Sequence, residues 1–315
     1  MIDIYLDQNH WIYLARACSG KPVKPKHQEV AIRLASSIRK KGCRLPLSLT
    51  HLIENLKKQD IGPRARLAKV FDEYSAGWYI APWTDFVPEE LKRAVAEVFQ
   101  TLLIFPSPEI IGRGFVFAVG KNIRHAIPEK WWRFNAAQYA QHSQLPGALF
   151  DLLTSVSEEN RRKQSASVLE RSSNSAQEIE KMRDLRKAES EATWKRIYGA
   201  EATILHQQRL SNALAANGRT MDDFIELGVD GMCNFWTHVA TVHVDSELCF
   251  YRDRQWTRNV QANDVGDLGH LVGAIPYCDV VVTEKFWCRA AKERKLDKHY
   301  GTSIFSDLES LLDII

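Results

Sequence analysis

The chain has 315 residues, 45% of them hydrophobic and 26% charged, with a formal net charge of +3. That balance is typical of a globular protein with a full core and excludes a disordered polyelectrolyte or a small disulfide-stapled scaffold. The six cysteines form no C-x-x-C pair, no apolar run is long enough to cross a bilayer, and no signal peptide precedes Ile2; the expectation is a cytoplasmic protein with reduced, buried thiols and no membrane partner.

Taken in order, Met1–Leu6 alternates as a β-strand and ends at Asp7-Gln8-Asn9, where His10–Ala15 continues as helix. A carboxylate at the carboxyl end of a first strand lies at the ligand-binding edge of an α/β sheet, although Asp7 or Asn9 also serves as a helix cap. Gln28–Lys41 has helical apolar spacing and is expected to stop at Gly42. Leu45–Leu49 reads as a short second strand with Pro46 near its start, and Thr50 opens a helix carrying Glu54. Between Lys21 and Lys69 thirteen Lys and Arg residues face only Glu29, Glu54 and Asp60, a basic flank suited to a polyanion. Trp78–Ile80 is a further strand.

From about Asp85 the pattern becomes helical, over 88–104 and 146–156, with an apolar connection over 104–120. Lys130–Phe134 interleaves bases and aromatics and reads as core packing with extended Arg stems rather than as a base-stacking platform. Ser157–Leu214 is polar with mixed charges, reading as one or two long exposed helices. Phe235–Val244 is an apolar stretch leading back toward the sheet. Asp264 reads as an N-cap, with Asp267 at the same helix start and Leu268, Leu271, Val272 and Ile275 on an apolar face. Val280–Val282 is a buried strand ending at Thr283-Glu284. A basic helix over 286–295, a strand over 301–305 and a closing helix over 307–315 complete the chain.

Asp7, Glu54, Asp267 and Glu284 thus recur at strand ends and helix starts of an alternating α/β pattern. Acidic groups brought together repel, and a hard cation is the usual reason for such an arrangement. His10, His51 and His270 read as supporting or surface residues, because oxygen sites for hard cations do not need imidazole.

In these residues the chain resembles the PIN-domain nucleases. Leu6-Asp7-Gln8-Asn9 matches the family's strand–Asp–x–Asn/Thr start, Thr50 to Glu54 its Ser/Thr-led helix with Glu, and Asp267 through Thr283-Glu284 its Asp-led helix, strand, Thr and acidic residue. The resemblance implies an α/β, three-layer fold with a mainly parallel central sheet, built from residues 1–84 and 241–315 and interrupted by a mostly helical insertion over 85–240. It implies hydrolysis of phosphodiesters, usually in single-stranded or structured RNA, using one or two Mg²⁺ or Mn²⁺ ions. Asp7, Glu54, Asp267 and Glu284 would be catalytic and metal-binding, and Asn9 and Thr283 would position water or phosphate. Lys285 follows Glu284 where the family often has Asp, which makes Asp264 and Asp279 alternative ligands, Asp279 reading otherwise as a strand-start residue. Lys40, Lys41, Arg44, Lys57, Lys58 and Lys285 are the candidate nucleic-acid contacts.

The implied partners are an RNA substrate with DNA as the alternative, an antitoxin or defence partner protein, and a second copy of the chain through the insertion, in keeping with toxin or phage-defence roles for PIN-like nucleases. A haloacid-dehalogenase-type phosphatase would want Asp-x-Asp, against Asp7-Gln8-Asn9 here. The remaining alternatives are a PIN-like 5′-nuclease acting on DNA and a catalytically inactive module binding RNA or protein.

Overall fold

The computed structural model describes residues 1–120 and 136–315; the Lys130–Phe134 stretch lies outside them. From the amino terminus, β1 (Ile2–Leu6) leads into α1 (Gln8–Cys18) and α2 (Pro25–Arg39), followed by β2 (Cys43–Arg44), α3 (Leu49–Lys57), α4 (Ile61–Ser75) and β3 (Trp78–Ile80). Then come α5 (Trp83–Val98), β4 (Ile111–Arg113), α6 (Phe115–Val119), α7 (Ala136–Ser143) and α8 (Ala148–Ser155). Two long helices, α9 (Glu158–Arg186) and α10 (Glu191–Ala216), precede α11 (Met221–Glu226), α12 (Gly228–Phe235), α13 (Ala240–Asp253) and α14 (Ala262–Ala274). β5 (Val280–Val282), α15 (Lys285–Glu293), α16 (Leu296–Tyr300), β6 (Ser303–Phe305) and a 3₁₀ turn over Leu308–Asp313 follow. The architecture is mixed α/β, predominantly helical, with a four-stranded parallel sheet.

The chain divides into two compact units: Met1–Pro82, Ile110–Arg171 and Gly273–Ile315 in the first, Trp83–Glu109 and Ser172–Val272 in the second. These units are drawn differently from the expected 85–240 insertion, with Ile110–Arg171 in the first and 241–272 in the second.

In the first unit the strand order is β2-β1-β5-β6, with every neighbouring pair parallel. Leu6 lies opposite Val282, and Val282 opposite Phe305. The ladder continues past the strands through Asp7 N–H to Val282 O and Thr283 N–H to Phe305 O, both 2.9 Å. Val280, Val281 and Val282 are all buried, as a central parallel strand covered on both faces requires. Trp11, Leu14 and Ala15 share one face of α1 and join Leu6, Leu34, Phe71 and Val280 in the core.

Several local expectations shift for identifiable reasons. β2 is Cys43–Arg44 rather than 45–49, because Pro46 has no N–H to donate, Leu47 bonds instead to Trp78 and Ile80, and Ser48 already caps α3. β3 pairs antiparallel with β4 in a separate two-stranded sheet. Gly112 of β4 makes that possible, since a Cβ there would come within 2.5 Å of the Phe117 ring. At the end of α2 the left-handed residue is Lys41, with φ 56°; Gly42 is needed for room, because a Cβ would meet Ser37 Oγ at 2.8 Å. Cys43, Cys278 and Cys288 are buried as expected of small apolar thiols, but Cys18, the last residue of α1, is exposed beside the Tyr74 hydroxyl at 3.2 Å.

The second unit has its own core, in which Val87 and Leu91 of α5 meet Leu210 and Leu214 of α10, with Phe224, Phe235 and Trp236 alongside. α10 is therefore not an exposed arm: Trp194, Ala202, His206, Leu210 and Leu214 form a buried stripe at intervals of four or eight residues. The apolar stretch over 235–244 leads into α13. Among the described residues no helix is long and apolar enough to cross a membrane.

His206 gives this unit a pH signature. Its Nδ1 accepts from Arg209 at 3.2 Å, and burial, then the Arg209 charge, lower its pKa from 6.5 to about 4. The unfolded chain therefore binds the extra proton between those values, and stability falls as pH drops through that window. In urea unfolding across it, His206→Gln is expected to lose on the order of 2 kcal/mol less stability than the wild-type chain.

Candidate functional site

The carboxyl edge of the parallel sheet collects a small polar group. Asp7 follows β1 directly and caps α1: its Oδ1 accepts from the Asn9 N–H at 3.1 Å and the His10 N–H at 3.2 Å. The His10 ring, from the first turn of that helix, donates through Nδ1 to the same oxygen at 2.6 Å. β1 and β5 are adjacent, so the residues that leave them are adjacent too, and Asn9 Nδ2 donates to Glu284 Oε1 at 2.5 Å. Thr283 is buried between β5 and Glu284, whereas Glu284 itself is exposed. One sheet edge thus holds Asp7, Asn9, Thr283 and Glu284.

Behind this edge a buried histidine fixes the end of β1. His51 Nδ1 accepts from the Ser48 N–H at 2.9 Å, so Nε2 carries the proton that it donates to Leu6 O at 2.8 Å. The ring is neutral in this arrangement and lies edge-on to Trp11 and Phe71. The Tyr5 and Ser48 hydroxyls are 3.0 Å apart in the same buried layer.

The other candidates fall elsewhere. Glu54 lies on α3 of the same unit, half-buried and ion-paired with Lys57. Asp279 precedes β5 at the opposite, amino edge of the sheet, where it accepts from the Asp3 N–H at 2.8 Å. Arg44 belongs to that edge as well, held by Asp3 at 2.5 and 2.6 Å and stacked over Trp78, so it is committed to the fold rather than to the carboxyl edge. Lys40 and Lys41 end α2 just ahead of β2. Lys285 begins α15, next to Glu284.

Asp264 and Asp267 belong to the second unit. α14 starts at Ala262, so Asp264 is not its N-cap; it lies inside the first turn and reaches back to the Gln261 N–H at 2.9 Å. The Arg258 guanidinium grips it at 2.6 and 2.7 Å. Asp267 is a further turn along, where helix-start electrostatics have faded.

Among the described residues no three His, Cys, Asp or Glu side chains converge into a cage for a metal ion. The group at the carboxyl edge nonetheless has the right donor chemistry: two carboxylates and an amide supply hard oxygens. Mg²⁺ commonly takes one or two carboxylates and completes its shell with waters and substrate phosphates. No protein-family model, curated protein or solved structure matches this chain.

Two features were not singled out in the sequence. Gln8, between Asp7 and Asn9, has both amide atoms buried without a partner among the described residues. Arg16, Lys21, Lys58 and Arg66 line a cleft of about 230 Å³ in the first unit, and no carboxylate is among its lining residues. Lys21, Lys58 and Arg66 belong to the basic flank read from the sequence, Lys58 being a named candidate contact; Arg16 comes from the helix that Asp7 caps, and sequence spacing gives no hint that it lines the same cleft.

Replacing His51 tests the support of β1. His51→Ala would leave the Ser48 N–H and the Leu6 carbonyl buried without their partner and open a hole beside Trp11. Unfolding by urea, followed by tryptophan fluorescence, is expected to show a loss of about 3 kcal/mol or more.

Proposed function

We propose that this protein is a PIN-like, metal-dependent nuclease acting on RNA. The observation that carries the reading is the placement of Asp7 and Glu284 at the carboxyl ends of two adjacent parallel strands, joined through Asn9. Ligands of open α/β sheets bind at this edge. Bound Mg²⁺ or Mn²⁺ would lower the pKa of a water and neutralise charge on the phosphate oxygens.

The chain's own residues would do the rest. Asp7 is fixed by three N–H donors on one oxygen, so it would hold a cation in a set position. Glu284, exposed and tethered by Asn9, would hold the solvent side. Lys285 beside it would take a substrate phosphate. The cleft formed by Arg16, Lys21, Lys58 and Arg66 would follow the backbone phosphates of a flexible strand. A single strand suits an acidic edge that must reach one exposed phosphate.

A specific observation favours the second reading, a PIN-like module that binds RNA or protein without cleaving. Glu54, Asp264 and Glu284 each already hold a hydrogen-bond or ion-pair partner, and no protein cage for a metal forms among the described residues. Cleavage assays separate the two.

Labelled single-stranded RNA and DNA would be incubated with Mn²⁺, Mg²⁺ or EDTA. The expected result is metal-dependent endonucleolytic cutting of RNA, reduced about 10²-fold or more in Asp7→Asn and in Glu284→Gln. Asp267→Asn in the same assay reads whether the carboxylate on α14 is required. Cutting of DNA alone would support the 5′-nuclease alternative. No cutting, with no Mn²⁺ bound, would leave the binding module. Equal activity with EDTA in all variants would sink the proposal.

A further inference from the structure

The second unit has a half-open recess of about 670 Å³ between α9, α10, α13 and α14, with Trp83 of α5 at its wall. That volume is in the range of sites for small organic ligands, roughly 300–1,000 Å³. Met182, Leu205, Val242, Leu268 and Val272 make much of the lining apolar.

The charged side chains that reach this cavity are nearly all matched. Arg186 pairs with Glu201. Arg252 Nε donates to Asp253 Oδ1 at 2.6 Å, and the Tyr198 hydroxyl donates to the other oxygen at 2.5 Å. Arg183 donates to the carbonyls of Asp253, Gln255 and Arg258 and to Glu180. Asp245 is the exception. Its hydrogen-bond partner among the described residues is the Cys249 thiol at 3.9 Å, a weak donor. Its side chain is exposed to solvent on the wall of the recess, where partial desolvation by the surrounding groups raises its carboxyl pKa. Arg252 opposes that rise but is already committed to Asp253.

We infer that this cavity binds a small organic cation, an apolar or aromatic body bearing a protonated amine or amidine that pairs with Asp245. A carboxylate on an apolar wall with only a weak thiol partner among the described residues offers a ligand ammonium the charge-assisted hydrogen bond that the protein itself does not supply. An anion would find the lining guanidiniums already paired with Glu180, Glu201 and Asp253 and would be repelled by Asp245, and a neutral molecule would leave Asp245 as it is. The nearby imidazole does not repel a cation, because His206 is neutral down to about pH 4. Trp83, edge-on to His206 at 6.0 Å, adds aromatic surface for the ligand body. This inference stands apart from the nuclease reading: all lining residues belong to the second unit.

The test titrates the whole chain, near neutral pH, with tryptamine as the cation, indole-3-acetate as the anion and 3-methylindole as the neutral probe, by calorimetry and ligand-observed NMR. Tryptamine is expected to bind at least about tenfold more tightly than either other probe. Asp245→Asn, nearly isosteric, is expected to erase that preference, and Leu268→Trp, which fills the cavity while leaving Asp245 in place, to abolish tryptamine binding. Circular dichroism checks that each variant is folded; if Asp245→Asn is not, Leu268→Trp decides. Absence of tryptamine binding at about 1 mM, equal or tighter binding of the anion, or a preference that survives either folded variant would overturn the assignment.

Discussion

The first unit hangs on the turn by which β1 becomes α1. A helix start leaves N–H groups without intrahelical partners, and Asp7 meets two of them with a single oxygen. That cap sets the direction of α1, which sends Trp11, Leu14 and Ala15 into the core beside Phe71. On the strand side, His51 holds the Leu6 carbonyl one residue earlier. The joint is thus held from both sides, and the position of Asp7 is fixed by packing and hydrogen bonds together. Such fixity is what the proposed chemistry asks of a carboxylate.

Much of this frame could be read directly from the residues. Ile2–Leu6, Trp78–Ile80, Val280–Val282 and Ser303–Phe305 are short alternating or apolar segments bounded by turn or cap residues, and each is a strand. The placing of Asp7 and Glu284 at strand ends followed from the same pattern. What could not be read was partnership. Trp78–Ile80 has the composition of a sheet strand, yet it pairs with Ile111–Arg113, whose three residues carry no periodicity to detect. The link through Asn9 depends on β1 lying beside β5, which local spacing does not reveal. His51 was legible as a helix residue, but its hydrogen bond to Leu6 spans two elements. In α13, Thr241, Val242 and Val244 have local strand preference, and burial in a helical core overrides it.

The two units handle charge in different ways. The first leaves Arg16, Lys21, Lys58 and Arg66 around a small cleft with no acid in its lining. The second draws arginines inward and satisfies them there: Arg183 on backbone carbonyls and Glu180, Arg252 on Asp253. Taking a guanidinium out of water is unfavourable unless its donors are met, so the Arg183 contacts tie α9 to the end of α13 and the turn after it. They also explain why a segment that looks polar in sequence ends as the wall of a core.

The strand order has a temporal side as well. Ile4 pairs with Val280, and β5 is translated long after β1. Every residue of the second unit precedes β5 in the chain, so on the ribosome that helical core can close while β1 still lacks its central neighbour. Non-local parallel pairing of this kind comes late and slowly. The sheet edge that carries Asp7 and Glu284 is therefore completed only after the whole second unit has been made, and a nascent chain has all its helical second unit before it has that edge.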